Sequence, residues 1–111
     1  MRCLWAHGFG RLFCDAEVIC DERGKTFLLA TIEFEERQLH NGKPYSQRII
    51  FRSFNIEDIE AVSSLKEGTF IRFDGETDAV SEKSATGWWY ANPRVTGRVL
   101  EICTNDTCVP R

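Results

Sequence analysis

The sequence predicts an all-β domain, a small barrel of five strands with one short helix between the third and fourth. Three observations carry this. β-branched and aromatic residues recur in short runs separated by Gly, Asn and Asp. Only the segment after Asn55 spaces its apolar residues as a helix does, at Ile56, Ile59, Val62 and Leu65. The chain has 111 residues, 42% hydrophobic and 28% charged, which suits one domain with a single modest core. There are no internal repeats, low-complexity tracts or linkers. No apolar run approaches the ~20 residues of a membrane span. The opening MRCLWAHGFGR lacks the apolar stretch and small-residue cleavage site of a signal peptide, so a cytoplasmic location is expected.

The first run, about Cys3 to Cys20, alternates. Leu4, Ala6, Gly8, Gly10 and Leu12 form a small apolar set fit for a tight barrel interior, while Trp5, His7, Phe9, Arg11 and Phe13 take the other face. Asp21 to Gly24 is a turn. The second run, Lys25 to Glu36, is nearly continuously apolar or β-branched from Thr26 to Ile32, so alternation does not choose its inner face. Phe34, between Glu33 and Glu35, is its exposed aromatic. A polar loop, Gln38 to Gln47, turns at Asn41-Gly42. In the third run Ile49 and Phe51 point one way, and Arg48, Ile50 and Arg52 the other. Asn55 caps the helix, Asp58 suits its dipole, and Gly68 follows its end. The fourth run, Thr69 to Gly75, puts Ile71 and Phe73 inside against Phe70, Arg72 and Asp74. A polar excursion, Glu76 to Gly87, leads to a last run from Trp88 to Ile102, where Pro93 and Gly97 favour a bulge or edge. The order β-β-β-α-β-β is that of a five-stranded Greek-key barrel, the OB-fold. Residues 1–104 are read as this domain and 105–111 as a short extension.

Five cysteines, an odd number without a secretion signal, are expected mainly as buried or semi-exposed free thiols, with a disulfide near the end of the chain and a metal site as alternatives. Their spacings include no C-x2-C, and His7 and His40 fall in no ligand motif, so no metal is expected. No phosphate loop, nucleophile elbow or HExxH occurs, so neither enzyme activity nor a cofactor is expected. Glu33, Glu35, Glu36, Glu57, Asp58 and Glu60 read as solvated surface.

Several motifs then fall in one order. Gly10-Arg11-Leu12 with Asp15-Ala16-Glu17-Val18, Phe27-Leu28-Leu29-Ala30, Gln47-Arg48-Ile49-Ile50-Phe51, and Leu65-Lys66-Glu67-Gly68-Thr69 with Ile71-Arg72-Phe73-Asp74-Gly75 run from Cys3 to Ile102. Together they resemble the bacterial single-stranded DNA-binding protein family. Ala16 replaces the family's usual proline, and Ser46 and Gln47 its Trp-His pair. The segment after Gly75 is acidic, at Glu76, Asp78 and Glu82, where the family is basic. The ending from Asn105 to Arg111 resembles a variant without the acidic recruiting tail. In this the chain is also similar to primosomal replication protein B and to small phage- or plasmid-encoded relatives.

The resemblance implies sequence-tolerant binding of single-stranded DNA in replication, recombination or repair. Such binding needs aromatic faces for bases and cations for phosphates. The expected contact residues are Phe34, Lys43, Tyr45, Arg48, Arg52, Phe70, Arg72, Trp88 and Trp89, with at least one of the two tryptophans buried. Arg48, Arg52 and Arg72 are expected to form one basic stripe, with Glu33 and Asp74 as competing partners for Arg48 and Arg72. Trp5, His7, Phe9, Arg11 and Phe13 lie on the strand face that in the family packs against another subunit, which implies a dimer or tetramer. The net charge of −3 speaks mildly against nucleic acid. It supports a second reading, an OB-fold protein-interaction module serving the replisome or primosome with weak or no DNA binding. A third is a phage protein that competes with the host's own.

Overall fold

The computed structural model describes residues 4–38, 44–104 and 107–110, apart from the side chains within 34–38, 44–46, 80, 82, 89–92, 104 and 107–110. The first run breaks at Phe13–Ala16 into β1 (Leu4–Leu12) and β2 (Glu17–Cys20). There follow β3 (Thr26–Gln38), β4 (Pro44–Ser53), helix α1 (Ile56–Glu60) with a 3₁₀ turn (Ala61–Ser64), β5 (Phe70–Lys83), β6 (Trp89–Thr104) and β7 (Thr107–Pro110).

Five of these segments close a barrel. β1 pairs antiparallel with β5, β5 with β6, and β4 with β3. β3 returns to β1 through Arg11 opposite Glu33 and Leu12 opposite Ile32. β6 lies parallel to β4, with Arg94–Thr96 opposite Ile50–Arg52. A parallel pair needs a crossover, which α1 and β5 supply. β2 forms a hairpin with β3, and β7 folds back on β6. The fold class is therefore the expected five-stranded OB-fold with one short helix between its third and fourth barrel strands.

The core is set by period-2 alternation. Leu12, Leu28, Ala30, Ile32, Phe51, Ile71, Phe73, Val95 and Val99 all point inward, and Leu65 closes over them. The Phe51 and Phe73 rings meet at 5.4 Å between centroids. Leu28, Ala30 and Ile32 thereby settle the face of the second run that its sequence leaves open. Gly8 is small for a reason: a Cβ there would come within 2.6 Å of Phe73 Cζ. Gly8→Ala is expected to cost about 1–3 kcal/mol in urea unfolding, the usual penalty of overpacking. Unchanged stability would show that the Phe73 ring has room to move. Gly97 and Gly75 sit opposite each other, and a Cβ on Gly97 would collide with the Asp74 carbonyl.

Several expectations are corrected. Leu4 is 75% exposed, because β1 outruns the barrel interior at its first residue. Ile56 is 69% exposed: the helix tightens to 3₁₀ after five residues, so Ile59 and Val62, not Ile56, pack on the core. The Asn55 cap holds, its Oδ1 accepting from the Glu57 amide at 2.9 Å. Asp58 is buried rather than solvated. Its Oδ2 accepts from Ser53 Oγ at 2.6 Å and from the Val99 amide at 3.0 Å, tying the helix to β4 and β6. The segment after Gly75 is not an irregular excursion. β5 continues through Lys83 and pairs residue by residue with β6 back to Trp89. The register shift in β6 falls at Leu100, between Val99 and Glu101, rather than at Pro93 or Gly97. Cys14 and Cys20 are free thiols as expected but exposed rather than buried or half-buried, and Cys103 is disulfide-bonded. Cys108 lies opposite it in the β6–β7 ladder.

Candidate nucleic-acid interface

Outward positions on the barrel carry two linked runs of aromatic and charged side chains. The first crosses β5, β1, β3 and β4. Phe9 on β1 stacks on Phe70 of β5 at 5.5 Å and 16°. Arg72 lies over the Phe9 ring at 5.4 Å and pairs with Glu101 at 3.7 Å. Arg11 donates to Glu33 at 2.6 Å, and Arg48 reaches the other Glu33 oxygen at 3.3 Å. The Arg48 guanidinium covers the Phe13 ring at 3.7 Å. The expected strand-binding residues Arg48, Phe70 and Arg72 and the expected interface residues Phe9, Arg11 and Phe13 therefore form one surface. Trp5 is 62% exposed further along β1, and His7 is exposed between them.

The hydrogen bond from Arg11, then that from Arg48, holds the Glu33 carboxyl below its ordinary range. A carboxyl so lowered stabilises the fold above its unfolded pKa and loses that contribution as pH falls through the folded one. Thermal stability is expected to decline on acidification below about pH 4–5, and Glu33→Gln should flatten that part of the profile. An unaltered profile would remove Glu33 as a contributor.

The second run lies across β3, β4 and β6. Phe27 and Phe54 meet at 5.3 Å. Lys25 Nζ sits 4.6 Å from the Phe54 centroid, and the Arg52 guanidinium 5.5 Å from it. Arg52 donates through Nε and Nη2 to Thr96 Oγ1 at 3.1 and 3.0 Å. Arg94, beside it on β6, grips Asp78 of β5 with Nε–Oδ1 3.0 Å and Nη2–Oδ2 2.6 Å. This bidentate bond is the main cause of a lowered Asp78 pKa.

The β5–β6 hairpin extends this face and turns at Ser84–Gly87, with Trp88 75% exposed at its tip. Phe34 is opposite Gln47 and Tyr45 opposite Arg37 in the β3–β4 ladder. Their side chains, that of Trp89, and all of Lys43 lie outside the described residues.

Arg48 and Arg52 share the outward side of β4, but the expected single stripe of Arg48, Arg52 and Arg72 divides. β5 neighbours β1 and β6, so Arg72 joins the first run through Phe9, whereas Arg52 belongs to the second. Of the competing partners, Glu33 does pair with Arg48, while Asp74 pairs with Arg98 at 3.4 Å instead of Arg72. Sequence reading missed Lys25, Phe27 and Phe54 as a group. The signal available was the alternation Arg52-Ser53-Phe54, which continues the outward face past the end of the third run. Among the described residues no cluster of His, Cys, Asp and Glu could hold a metal.

The small single-stranded DNA-binding protein of Streptomyces coelicolor superposes with a TM-score of 0.68 at 9% identity, covering 95% of this chain and 96% of that one. The chain has the OB-fold of single-stranded DNA-binding proteins. The mitochondrial single-stranded DNA-binding protein Rim1 of S. cerevisiae gives 0.66 at 11% identity, over 88% of this chain and 92% of that one. The Plasmodium falciparum protein, solved in complex with single-stranded DNA, gives 0.63 at 10%, over 88% and 90%. No protein-family model matches the sequence, and no curated protein is similar to it in sequence. At these identities the likeness shows the fold alone. In this OB-fold the Asp21–Lys25 turn and the β5–β6 hairpin flank the face of β3, β4 and β6, the location where the fold generally receives oligonucleotides.

Proposed function

We propose that this OB-fold protein binds single-stranded DNA with little sequence preference, as a cytoplasmic, non-enzymatic participant in replication, recombination or repair. The observation that carries the reading is the outward row Lys25, Phe27, Phe54, Arg52 and Arg94 between the turn and the hairpin. It supplies the two things a sequence-tolerant site requires, π-faces for bases and cations for phosphates. Similarity of fold to proteins that bind single-stranded DNA supports it further. The experiment is a titration of tryptophan fluorescence with oligo-dT at low and high salt. Quenching at low salt that weakens as salt rises is expected, because displaced counterions drive binding. No quenching at low salt would sink the reading.

The first run, with Trp5, Phe9 and Phe13 exposed at 62%, 44% and 41%, suits burial against a second copy. Light scattering is expected to report a dimer or tetramer, and a monomer would remove this role for β1. The reading of a protein-interaction module is favoured by one fact: Arg11, Arg48, Arg72, Arg94 and Arg98 each already face a carboxylate. It expects no response to oligo-dT.

A further inference from the structure

Those carboxylates differ in what they shelter. In the Asp74–Arg98 pair the acid is sheltered, at 14% exposure, and the cation points out at 62%. In the Asp78–Arg94 pair the order is reversed: Arg94 is 25% exposed and Asp78 52%. Arg94 is anchored on the barrel strand β6, next to the half-buried Arg52 of β4. Ile50 stands opposite Arg94, and Arg52 opposite Thr96, so the two guanidiniums occupy adjacent rows of one outward face. Arg52 feels its neighbour, since the charge of Arg94 contributes, after burial, to lowering the pKa of Arg52. Among the described residues the hydrogen-bond partner of Arg52 is a neutral hydroxyl, that of Thr96. Two cations thus face one outward carboxylate.

We propose that Arg52 and Arg94 form a binding site for a backbone phosphate, that Asp78 occupies it in the free protein, and that a bound strand displaces the Asp78 carboxylate. The proposal rests on the single-stranded DNA reading above. Asp78 holds the Arg94 fork through both its oxygens, at 3.0 and 2.6 Å, and a phosphodiester offers the same pair of oxygens with the same single charge. The exchange is therefore charge for charge. Being half exposed, the released carboxylate can turn into water, and an exposed ion pair is weakly held. Phe54 lies beside Arg52, so a base next to the seated phosphate meets an aromatic ring. The acids after Gly75, which read in sequence as evidence against DNA, become on this account a built-in competitor that moderates affinity.

The exchange has a signature in salt dependence. A phosphate that only replaces a carboxylate on Arg94 releases little counterion, whereas one landing on an unoccupied guanidinium releases its share. The test compares wild type, Asp78→Asn, Asp74→Asn and the double variant Asp78→Asn/Arg94→Ala by oligo-dT titration at several salt concentrations. Thermal melts verify that all four are folded. Asp78→Asn is expected to bind about 3- to 10-fold tighter at low salt and to steepen the log–log salt slope by about 0.7. Asp74→Asn should change affinity less than about 2-fold, and removal of Arg94 should abolish the gain. Equal affinity of Asp78→Asn and wild type overturns the site while leaving single-stranded DNA binding intact. So does an equal gain from Asp74→Asn, which would reflect net charge alone, or a gain that survives the loss of Arg94. No binding by any of the four removes the DNA reading and the site with it.

Discussion

Asp58→Ala is expected to cost about 3 kcal/mol of folding stability, seen as a fall in melting temperature of about 10–20 °C. The side chain is 2% exposed, and one of its oxygens, Oδ2, accepts from both Ser53 Oγ and the Val99 amide. Alanine would leave a buried hydroxyl and a buried N–H without that acceptor, and each such loss costs about 1–3 kcal/mol. It would also open space beneath α1. The helix depends on such ties beside the packing of Ile59, since five residues are too few to be stable alone. Asp58→Asn keeps an oxygen where both donors aim and should cost less than half as much. A similar cost for Asn and Ala would mean that the charge, not the acceptor, is what the site uses.

Asp58 also shows where sequence reading stops. Its position three residues after a good N-cap is an ordinary reason for an acid, and nothing in the local pattern distinguishes a carboxylate facing water from one facing β6. The donor that decides it, Val99, is 41 residues away. The barrel itself was legible, because alternation reports burial directly: Ile71 and Phe73, Phe51, and Leu12 with Gly8 all lie inside as their spacing requires. The hairpin beyond Gly75 was not. Its polar residues read as loop, yet they are strand because each lies opposite a residue of β6, as Asp78 faces Arg94 and Glu76 lies opposite Thr96. The candidate site was half legible for the same reason. Arg48, Arg52 and Arg72 do point outward, but which run each joins depends on strand neighbours, and those follow from barrel closure rather than from any one strand.

Trp88→Ala is expected to weaken binding of oligo-dT by roughly 10-fold, within the range of about 1–3 kcal/mol that a stacked base contributes, and to leave stability unchanged to within about 0.5 kcal/mol. The two halves of this expectation have separate grounds. At 75% exposure the indole has little packing to lose. The turn that carries it is closed by backbone and serine, with the Ser84 amide donating to the Trp88 carbonyl at 2.7 Å and the Trp88 amide to Ser84 Oγ at 3.1 Å. Neither bond uses the indole. A large apolar ring held on a hydrogen-bonded hairpin tip and largely uncovered is placed to gain from a partner, and a nucleobase is the partner that the single-stranded DNA reading supplies. Because Trp88 is itself a fluorophore, binding is better followed by the anisotropy of a labelled oligonucleotide. Wild-type affinity in the variant would take the hairpin tip out of the strand's path, and a lowered melting temperature would make the indole structural. Trp5→Ala is the matched control, an exposed indole on the opposite run: it should shift the oligomeric state and, in the assembled form, spare the affinity that Trp88→Ala removes.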